Sequence, residues 1–509
     1  MPRSRPTSRQ QLNGQGSPRL IVEASWAALP DGSLRPSTAI LIDDGRIEAI
    51  ESRETLVTAS GRRIGGDGLL ALPGLVNAHQ HGQPDAKPAL AVPDAPLECW
   101  LVSLLAAGVT DPYPETRRLG SQLARSGVTT TAHVHYRQGE KPDEYEAELR
   151  AILAAYRDSG VRAVVACDIR DRGQPVSGDV ASFLAGLPPA LRHRARALIS
   201  PGPPTEAMLD IARTLRAEAG TGGLGDVDLA LGPPGPPWCS DELLTAVARV
   251  SAADDAAVHT HLLETWYERE FGLREYPRGT VAALREFGLL TPRLLAAHGV
   301  WLDDADCAAL AEAGVSVVTN PSSNLRLHAG VAPLRAMFAA GVNVAAGTDN
   351  LALTPADDVL GELRLLRALH RRPGIDEHGL DARSCLRLGT ENGGKALCRP
   401  DIGVLRPGAV GDVVLVDVGR LTRSVLADPL EVALACAGAD DIVAVIAGGR
   451  VLAREILPAP SATDGNPELR ETVTALLPYV RAHYRSWHRP QEADGVPGGA
   501  GGRRSRSRR

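Results

Sequence analysis

The chain has 509 residues, enough for one large domain with an accessory part or for about two or three ordinary domains. Hydrophobic residues make up 44% and charged residues 23%, so the composition excludes a disordered chain and a membrane protein. The formal net charge of −6 gives no general attraction to nucleic acid or to an anionic membrane. These values favour a soluble protein whose partner is a small molecule.

The termini and the cysteines indicate the compartment. Residues 1–17 are charged but lack the apolar run of a signal peptide, so we predict a disordered N-terminus and a cytoplasmic protein. The seven cysteines are scattered, odd in number and never paired as CxxC, which argues against a disulfide framework. Residues 489–509 include a Gly-rich run and end in arginines. They predict a disordered basic tail, with a binding arm as the alternative.

The two flanks of the chain contain short alternating apolar runs. DG, PG and GG turns divide residues 18–67 and 400–456 into strands of hairpin type. We predict that these two pieces combine into a small composite β-sandwich. Residues 457–488 include the stretch PELRETVTALLPYVRAHYRSW, which predicts a C-terminal helical segment.

The central region, residues 68–399, alternates runs rich in Val, Ala and Thr with longer stretches of helical spacing. This βα alternation indicates the α/β class, and the strand-like runs number about eight, as a (β/α)8 TIM barrel requires. The predicted strands are LLALPGLVNAH, GVTTTAHVHY, VRAVVACDI, VDLALGPP, AAVHTHL, LLAAHGV, VSVVTNP and NVAAGTD. The stretches between them would form helices around the barrel.

Polar residues follow several of these strands, at the barrel end where TIM-barrel active sites lie. His79 and His81 end the first strand, two residues apart and therefore on one face. His261 ends the fifth strand and Asp349 ends the eighth. Three imidazoles and one carboxylate would converge there, a set that suits zinc or ferrous iron with one position open for water.

Two further residues fit proton transfer at such a site. Glu264 follows His261 by three residues, where it can reach over the cation as a general acid or base. The alternative is a surface carboxylate. His298 ends the sixth strand and could polarise the substrate or stabilise a tetrahedral intermediate. Its alternative is a hydrogen-bonded core histidine.

These stretches together resemble the amidohydrolase superfamily, and within it the branch of S-adenosylhomocysteine/methylthioadenosine deaminases and s-triazine hydrolases. The resemblance covers roughly residues 18–456. The stretches that carry it are LPGLVNAHQH, SGVTTTAHV, HTHLLET, AAHGVWLDDAD, TNPSSNLRLHAGVAPL, AAGTDN and LRPGAVGDVVLVD.

The resemblance implies roles for six residues. His79, His81, His261 and Asp349 would be metal ligands, and Glu264 and His298 the catalytic pair. Asp349 would also accept a proton from the attacking water. The flanking strands would form the small β-sandwich of the family.

The lysines favour a single metal ion. Relatives with two metals use a carboxylated lysine at the end of strand four, whereas the lysines here are Lys87, Lys141 and Lys395, none of them at such an end. One divalent ion is therefore expected, with Zn²⁺ as the first choice and Fe²⁺ as the second. A lone Zn²⁺ lowers the pKa of bound water to about 7.

Strand two departs from the family pattern, because it ends in His133 and His135 where relatives more often carry an acidic or small residue. Both imidazoles would face the pocket if Thr129 and Thr131 also point inward. We interpret His133 and His135 as substrate contacts, with hydrogen-bonded core residues as the alternative.

Four more residues are candidates for substrate binding. Glu98 and Trp100 resemble an acidic-x-Trp-Leu element that lies near the substrate in deaminases, although Trp100 could instead pack a helix. Trp238 could stack on a planar ring or cover the barrel rim. Arg170 is a candidate contact for an anion or a carbonyl group. The loop residues after strand seven, Asn320, Ser322 and Asn324, are expected to brace the metal site.

The first functional hypothesis is hydrolytic deamination of an amino-substituted nitrogen heterocycle of purine, pyrimidine or triazine type. Dechlorination or amide hydrolysis at the same metal is the alternative within the hydrolases. A barrel that binds a ligand without catalysis is the alternative from another class, and the presence of all six residues argues against it. A homo-oligomer is expected from the general prevalence of symmetric assemblies.

Overall fold

The computed structural model describes residues 19–85, 87–107, 110–173, 176–198, 202–220, 226–349, 358–375, 379–458 and 466–487. The predicted disordered segments, residues 1–17 and 489–509, lie outside the described residues. The strands are β1 (Leu20–Ala28), β2 (Leu34–Asp43), β3 (Arg46–Ser52), β4 (Arg62–Pro73), β5 (Leu75–Gln80), β6 (Val128–Val134), β7 (Arg162–Asp168), β8 (Val227–Gly232), β9 (Val258–Leu262), β10 (Leu294–His298), β11 (Ser316–Thr319), β12 (Asn343–Ala346), β13 (Val413–Asp417), β14 (Ile442–Ala447) and β15 (Arg450–Val451).

The α-helices alternate with these strands along most of the chain. They are α1 (Leu97–Leu104), α2 (Pro112–Arg125), α3 (Pro142–Ser159), α4 (Val180–Ala185), α5 (Pro189–Ala197), α6 (Thr205–Gly220), α7 (Asp241–Asp254), α8 (Trp266–Glu275), α9 (Thr280–Glu286), α10 (Asp304–Glu312), α11 (Pro321–Arg326), α12 (Leu334–Ala340), α13 (Val359–Leu369), α14 (Ala382–Leu388), α15 (Glu391–Ala396), α16 (Val418–Leu421), α17 (Pro429–Cys436) and α18 (Pro467–Arg485). Short 3-10 helices cover Lys87–Leu90, Leu105–Ala107, Pro236–Trp238 and Ala439–Asp441. Within the described ranges, no helix is both long and apolar enough to span a bilayer.

The predicted TIM barrel is confirmed. Strands β5 to β12 form one parallel sheet in sequence order, and its first and last strands meet where the backbone N–H of Asp349 donates to the carbonyl oxygen of His79 at 2.9 Å. The strands are buried on both faces because helices cover them outside, as the apolar runs in the sequence predicted. The carboxyl ends of all eight strands therefore face one common mouth.

The flanking strands combine as predicted. They form a mostly antiparallel seven-stranded sheet in the order β15-β14-β13-β4-β1-β2-β3. Strands from both ends of this sheet share one apolar core, to which Ile42, Ile47 and Ile446 contribute. The N-terminal and C-terminal pieces meet where β4 pairs with β13.

One strand prediction was wrong. The run LLALPGLVNAH was predicted as a single barrel strand, but it divides into the end of β4, which belongs to the second sheet, and β5. Pro73 cannot donate a ladder hydrogen bond, and Gly74 passes so close to β6 that a Cβ atom there would lie 2.2 Å from the Thr129 hydroxyl. The chain therefore leaves one sheet and enters the other at Pro73 and Gly74.

The C-terminal stretch forms the helix α18, as its periodicity predicted. Its apolar face buries Val473, Leu476 and Val480 in a cluster with Val102 of α1 and Phe183 of α4. This cluster lies beside the barrel mouth, so the helix contributes to the surroundings of the candidate site.

Candidate active site

The structure brings the four predicted metal ligands together. His79 lies in β5, His81 follows it, His261 lies in β9, and Asp349 follows β12. His81 Nε2 is 3.2 Å from His261 Nε2 and 3.4 Å from Asp349 Oδ1, and His79 Nε2 is 3.6 Å from the same oxygen. A tetrahedral ion with bonds of about 2.0–2.1 Å separates its ligand atoms by about 3.3 Å.

A divalent cation fits this donor set. Nε2 of His79 is buried and has no hydrogen-bond partner among the described residues, although such a nitrogen is costly to leave unsatisfied. Burial lowers the pKa of His81 to about 3 and that of His261 well below the usual value, so both imidazoles are neutral and can donate a lone pair. The residues therefore present nitrogen lone pairs and a carboxylate oxygen, which zinc prefers.

Three contacts hold the candidate ligands in orientation. His79 Nδ1 lies 2.9 Å from His259 Nε2, and His261 Nδ1 lies 2.7 Å from the carbonyl oxygen of Pro234. The second contact requires the proton on Nδ1, which leaves Nε2 of His261 free for a cation. The Ser323 hydroxyl donates to Asp349 Oδ2 at 2.5 Å, which leaves Oδ1 to face the imidazoles.

Glu264 and His298 lie beside the candidate ligands. His298 Nε2 is 3.6 Å from Glu264 Oε2 and 4.0 Å from Asp349 Oδ2. Glu264 Oε1 and His298 Nε2 are both buried without a hydrogen-bond partner among the described residues. Unsatisfied polar atoms of three side chains, counting His79, thus surround one small space, which indicates a site for water and substrate.

The pKa values of the two carboxyl groups beside His298 are shifted in opposite directions. Burial, reinforced by the charge of Asp349, raises the pKa of Glu264 well above its usual value. Burial acts in the same direction on Asp349, but the close imidazoles of His79, His81 and His298 lower its pKa well below the usual value. Two carboxyl groups whose pKa values diverge in this way suit a proton donor and a proton acceptor.

Backbone strain accompanies these residues. His298 has a φ of 72° and Asp349 a φ of 54°, both in the left-handed region that residues other than glycine rarely adopt. Leu263, next to Glu264, has a φ of 49°. Strained residues of this kind concentrate at functional sites, where the surrounding structure holds them.

The tautomer of His298 follows from its partner. His298 Nδ1 lies 2.8 Å from Asn324 Oδ1, so Nδ1 carries the proton and Nε2 carries the lone pair. Burial lowers the pKa of His298 to about 4, so the ring is neutral. Nε2 is therefore an acceptor that faces Glu264 and Asp349.

A cavity of about 370 Å³ opens from these residues. Five of the six predicted substrate contacts line it, and they are Glu98, Trp100, His135, Arg170 and Trp238. Glu98 accepts a hydrogen bond from the Thr265 hydroxyl at 2.6 Å, and burial raises its pKa to about 7. The Arg170 guanidinium lies 5.2 Å from the centre of the Tyr136 ring.

His133 is not among the described residues that line the cavity, and its position agrees with the alternative considered from the sequence, a hydrogen-bonded core residue. It pairs in register with Gln80, whose side chain points away from the candidate metal site because its neighbours point inward. Both side chains reach the Tyr156 hydroxyl on α3, at 3.0 Å for His133 Nδ1 and 2.8 Å for Gln80 Nε2. A side chain at Gly82 would collide with the His133 ring, which is thus enclosed in the core.

Sequence reasoning missed several residues at the site. His259 precedes His261 by two residues and shares its face, a signal that could have been used. Ser322 was the serine predicted to brace the metal site, but it is the Ser323 hydroxyl that donates to Asp349. The backbone N–H of Ser322 donates to the Glu362 carboxylate instead. Glu268 accepts a hydrogen bond from the backbone N–H of Glu264 at 2.8 Å.

Comparison with known proteins identifies the family. Residues 70–452 match the amidohydrolase family, and the chain belongs to that family. A 5-methylthioadenosine/S-adenosylhomocysteine deaminase of Syntrophobacter fumaroxidans is 31% identical over 431 residues, which cover 83% of this chain and 90% of that protein. A 5'-deoxyadenosine deaminase of Methanosarcina mazei is 30% identical over 437 residues, covering 84% and 90%.

Solved structures agree in fold and family. A triazine hydrolase from Arthrobacter aurescens superposes with a TM-score of 0.73 at 26% identity, covering 91% of this chain and 100% of that one. An adenosine deaminase from Xanthomonas campestris with bound zinc gives a TM-score of 0.69 at 26% identity, covering 92% and 98%. The predicted membership of the amidohydrolases is confirmed, and the named relatives are deaminases that act on carbon–nitrogen bonds other than peptide bonds.

Proposed function

We propose that this protein is a hydrolytic deaminase of amino-substituted nitrogen heterocycles, with adenosine-type compounds as its first substrate class. The observation that carries the proposal is the pair of buried carboxyl groups of Glu264 and Asp349, which lie 3.6 Å and 4.0 Å from the same atom, His298 Nε2. The names of the relatives support the adenosine class.

His79, His81, His261 and Asp349 would hold one divalent cation. Zinc is the first choice because the ligand set suits it and because a similar structure contains zinc. Such an ion lowers the pKa of water and polarises the bond under attack. No lysine follows β8, which ends at Gly232, so the residues offer no carboxylated lysine for a second ion there.

The side chains account for the proton transfers. Asp349 is ionised and accepts a proton from water as the oxygen attacks the ring carbon that bears the amino group. Glu264 is protonated and donates to the ring nitrogen beside that carbon, which removes the negative charge that would otherwise build up there. Asp349 then passes its proton to the amino group, which leaves as ammonia. The remaining hydroxyl proton goes to the Glu264 carboxylate as the carbon–oxygen bond becomes a carbonyl group, so both carboxyl groups regain their starting states.

His298 would orient the attacking water. Its Nε2 accepts a hydrogen bond from a water proton because Asn324 holds the ring proton on Nδ1. This role differs from the electrophilic one considered from the sequence, in which an N–H would donate to the substrate. Because the His298 ring is neutral, its Nε2 can also accept a proton during the reaction.

A second candidate is hydrolysis that releases chloride from a triazine. The similarity to a triazine hydrolase supports it, because the same attack on a ring carbon can expel a different leaving group. Leaving-group analysis separates the two candidates.

The experiment uses the purified full chain loaded with zinc. It is incubated with adenosine, 5'-deoxyadenosine, 5-methylthioadenosine, cytosine, an aminotriazine and a chlorotriazine, and ammonia and chloride are both measured. We expect ammonia from at least one adenosine compound and the matching loss of the amino group by mass spectrometry. Chloride release without ammonia from any compound would reject the proposed function.

A further inference from the structure

The C-terminal helix α18 forms part of the cavity wall. Leu469 in its first turn and Tyr484 in its last turn both line the cavity that contains Glu264 and His298. The family match ends at residue 452, so this wall comes from a segment outside it. Helix α18 thus contributes a part of the cavity wall that the matched family region does not contain.

The cavity is long. Leu469 and Tyr484 are fifteen residues apart, which corresponds to about 22 Å along a helix. Tyr484 marks the inner end, because its ring lies 4.9 Å from that of Tyr267, which follows Glu264 by three residues. Leu469 marks the outer end, where Arg194 of α5 pairs with Glu471 of α18 at 3.1 Å. A purine ring would fill only a fraction of this length.

The side of the cavity along α18 is apolar. Leu101 and Leu105, four residues apart on α1 and the short helix after it, are half-buried and line the cavity. Val176 and Leu198 line it as well, and Leu105, Leu198 and Leu469 pack against the same cluster as the core of α18. When a ligand covers half-buried apolar side chains and removes water from them, the burial of this apolar surface makes the binding free energy more favourable.

The helix is held in place rather than resting loosely on the barrel. The backbone N–H of Ser177 donates to the Tyr484 hydroxyl at 2.8 Å, and the Tyr484 ring lies 4.9 Å from that of Tyr267 on α8. The Arg274 guanidinium stacks 4.4 Å from the centre of the Trp487 ring. These contacts fix Tyr484 between α8, which begins after Glu264, and the loop after β7.

We infer that α18 selects substrates whose heterocycle carries an elongated apolar substituent, which lies against Leu101, Leu105, Val176, Leu198, Leu469 and Tyr484. The inference rests on the proposed function and names the substrate class of the same site. The heterocycle lies at Glu264 and His298, and the substituent extends along the helix toward Leu469.

The test uses 5'-deoxy-5'-alkylthioadenosines with methyl, n-propyl and n-hexyl chains and the zinc-loaded full chain. We expect kcat/KM to rise about threefold to fourfold for each methylene that becomes buried. Leu469→Asn should lower the ratio of kcat/KM for the hexyl compound to that for the methyl compound about tenfold. Leu477→Asn is the matched control, because Leu477 is half-buried on the same helix but is not among the described residues that line the cavity, and it should leave the ratio unchanged.

The outcomes separate the two proposals. The role of α18 is overturned if kcat/KM stays level or falls as the alkyl chain grows. It is also overturned if Leu469→Asn and Leu477→Asn lower the hexyl-to-methyl ratio equally. In both cases the proposed deamination stands. Absence of ammonia from every compound contradicts the proposed function instead. In that event calorimetric titration of the same compounds still decides the inference, since affinity should rise with chain length and fall in Leu469→Asn.

Discussion

His259 lies 2.9 Å from His79, nitrogen to nitrogen, beneath the candidate metal site. This contact orients the His79 ring so that Nε2 faces the other candidate ligands, and the tautomer with the shared proton on Nδ1 leaves the lone pair on Nε2. His259 is itself buried and neutral, since burial lowers its pKa well below the usual value. The orientation of this candidate ligand therefore depends on a residue outside the candidate ligand set.

His259→Phe is expected to weaken zinc binding by about 10- to 100-fold, the usual effect of removing a group that orients a metal ligand. Competition with a chromogenic chelator measures the zinc affinity. His259→Gln should recover part of the affinity, because its amide can still bond to Nδ1. Equal zinc affinity in the wild type and in His259→Phe would contradict the positioning role.

Removal of a candidate ligand should remove the metal. We expect His81→Asn to contain far less than one zinc per chain and to lose deaminase activity, whereas the wild type binds one zinc. His193→Asn is the control, because His193 is exposed on α5. Elemental analysis gives the stoichiometry, and two zinc ions per wild-type chain would disprove the single-ion prediction.

Glu264→Gln should lower kcat by about 10²–10⁴-fold, the range for loss of a general acid or base. KM and zinc content should change little, because Glu264 is not a candidate ligand and Gln keeps its shape. Glu275→Gln on the exposed side of α8 is the matched control. Steady-state kinetics measures kcat and KM. A near-normal kcat in Glu264→Gln would show that Glu264 is not the general acid or base of the reaction.

The buried carboxyl group of Glu268 should make the free energy of unfolding depend on pH. Burial raises its pKa from 4.5 to about 7, so the folded protein keeps a proton that the unfolded chain has lost. The free energy of unfolding should therefore fall as pH rises from 4.5 through 7, by about 3 kcal/mol from this group. Glu268→Gln should remove that part of the decline, and Glu275→Gln should not. Urea unfolding at pH 5 and pH 8 gives the free energy of unfolding of each protein at both pH values. If this free energy falls equally in Glu268→Gln and in the wild type, the prediction is wrong.

Tyr156→Phe tests the core position of His133. Loss of the hydroxyl leaves His133 and Gln80 without their shared partner, so we expect a loss of about 1–3 kcal/mol in the free energy of unfolding. Tyr113→Phe is the control, because its hydroxyl bonds to Asp158 at the surface. Substrate KM should stay close to that of the wild type. A raised KM with unchanged stability would restore His133 as a substrate contact.

The sequence predicted the barrel and the gathering of the candidate ligands for the same reason. Residues that end parallel strands meet at one mouth whatever their separation along the chain, so His81, His261 and Asp349 could be placed without knowledge of any contact. The family resemblance added the roles of Glu264 and His298.

Other features depend on register and on distant contacts, which local patterns do not contain. The side to which His133 points follows from its pairing with Gln80 across two strands. The change of sheet at Gly74 follows from close packing on Thr129, which lies 55 residues further on. The periodicity of α18 predicted a helix but could not show that Leu469 and Tyr484 line the cavity.

The pairing of β4 with β13 joins parts of the chain separated by about 340 residues. During synthesis at about 5–20 residues per second, the N-terminal strands would wait about 20–70 s for their partner to emerge. Until then the edge of β4 is open to pairing with another chain. Nascent or truncated copies that lack β13 should therefore depend on chaperones and aggregate more readily than the complete protein.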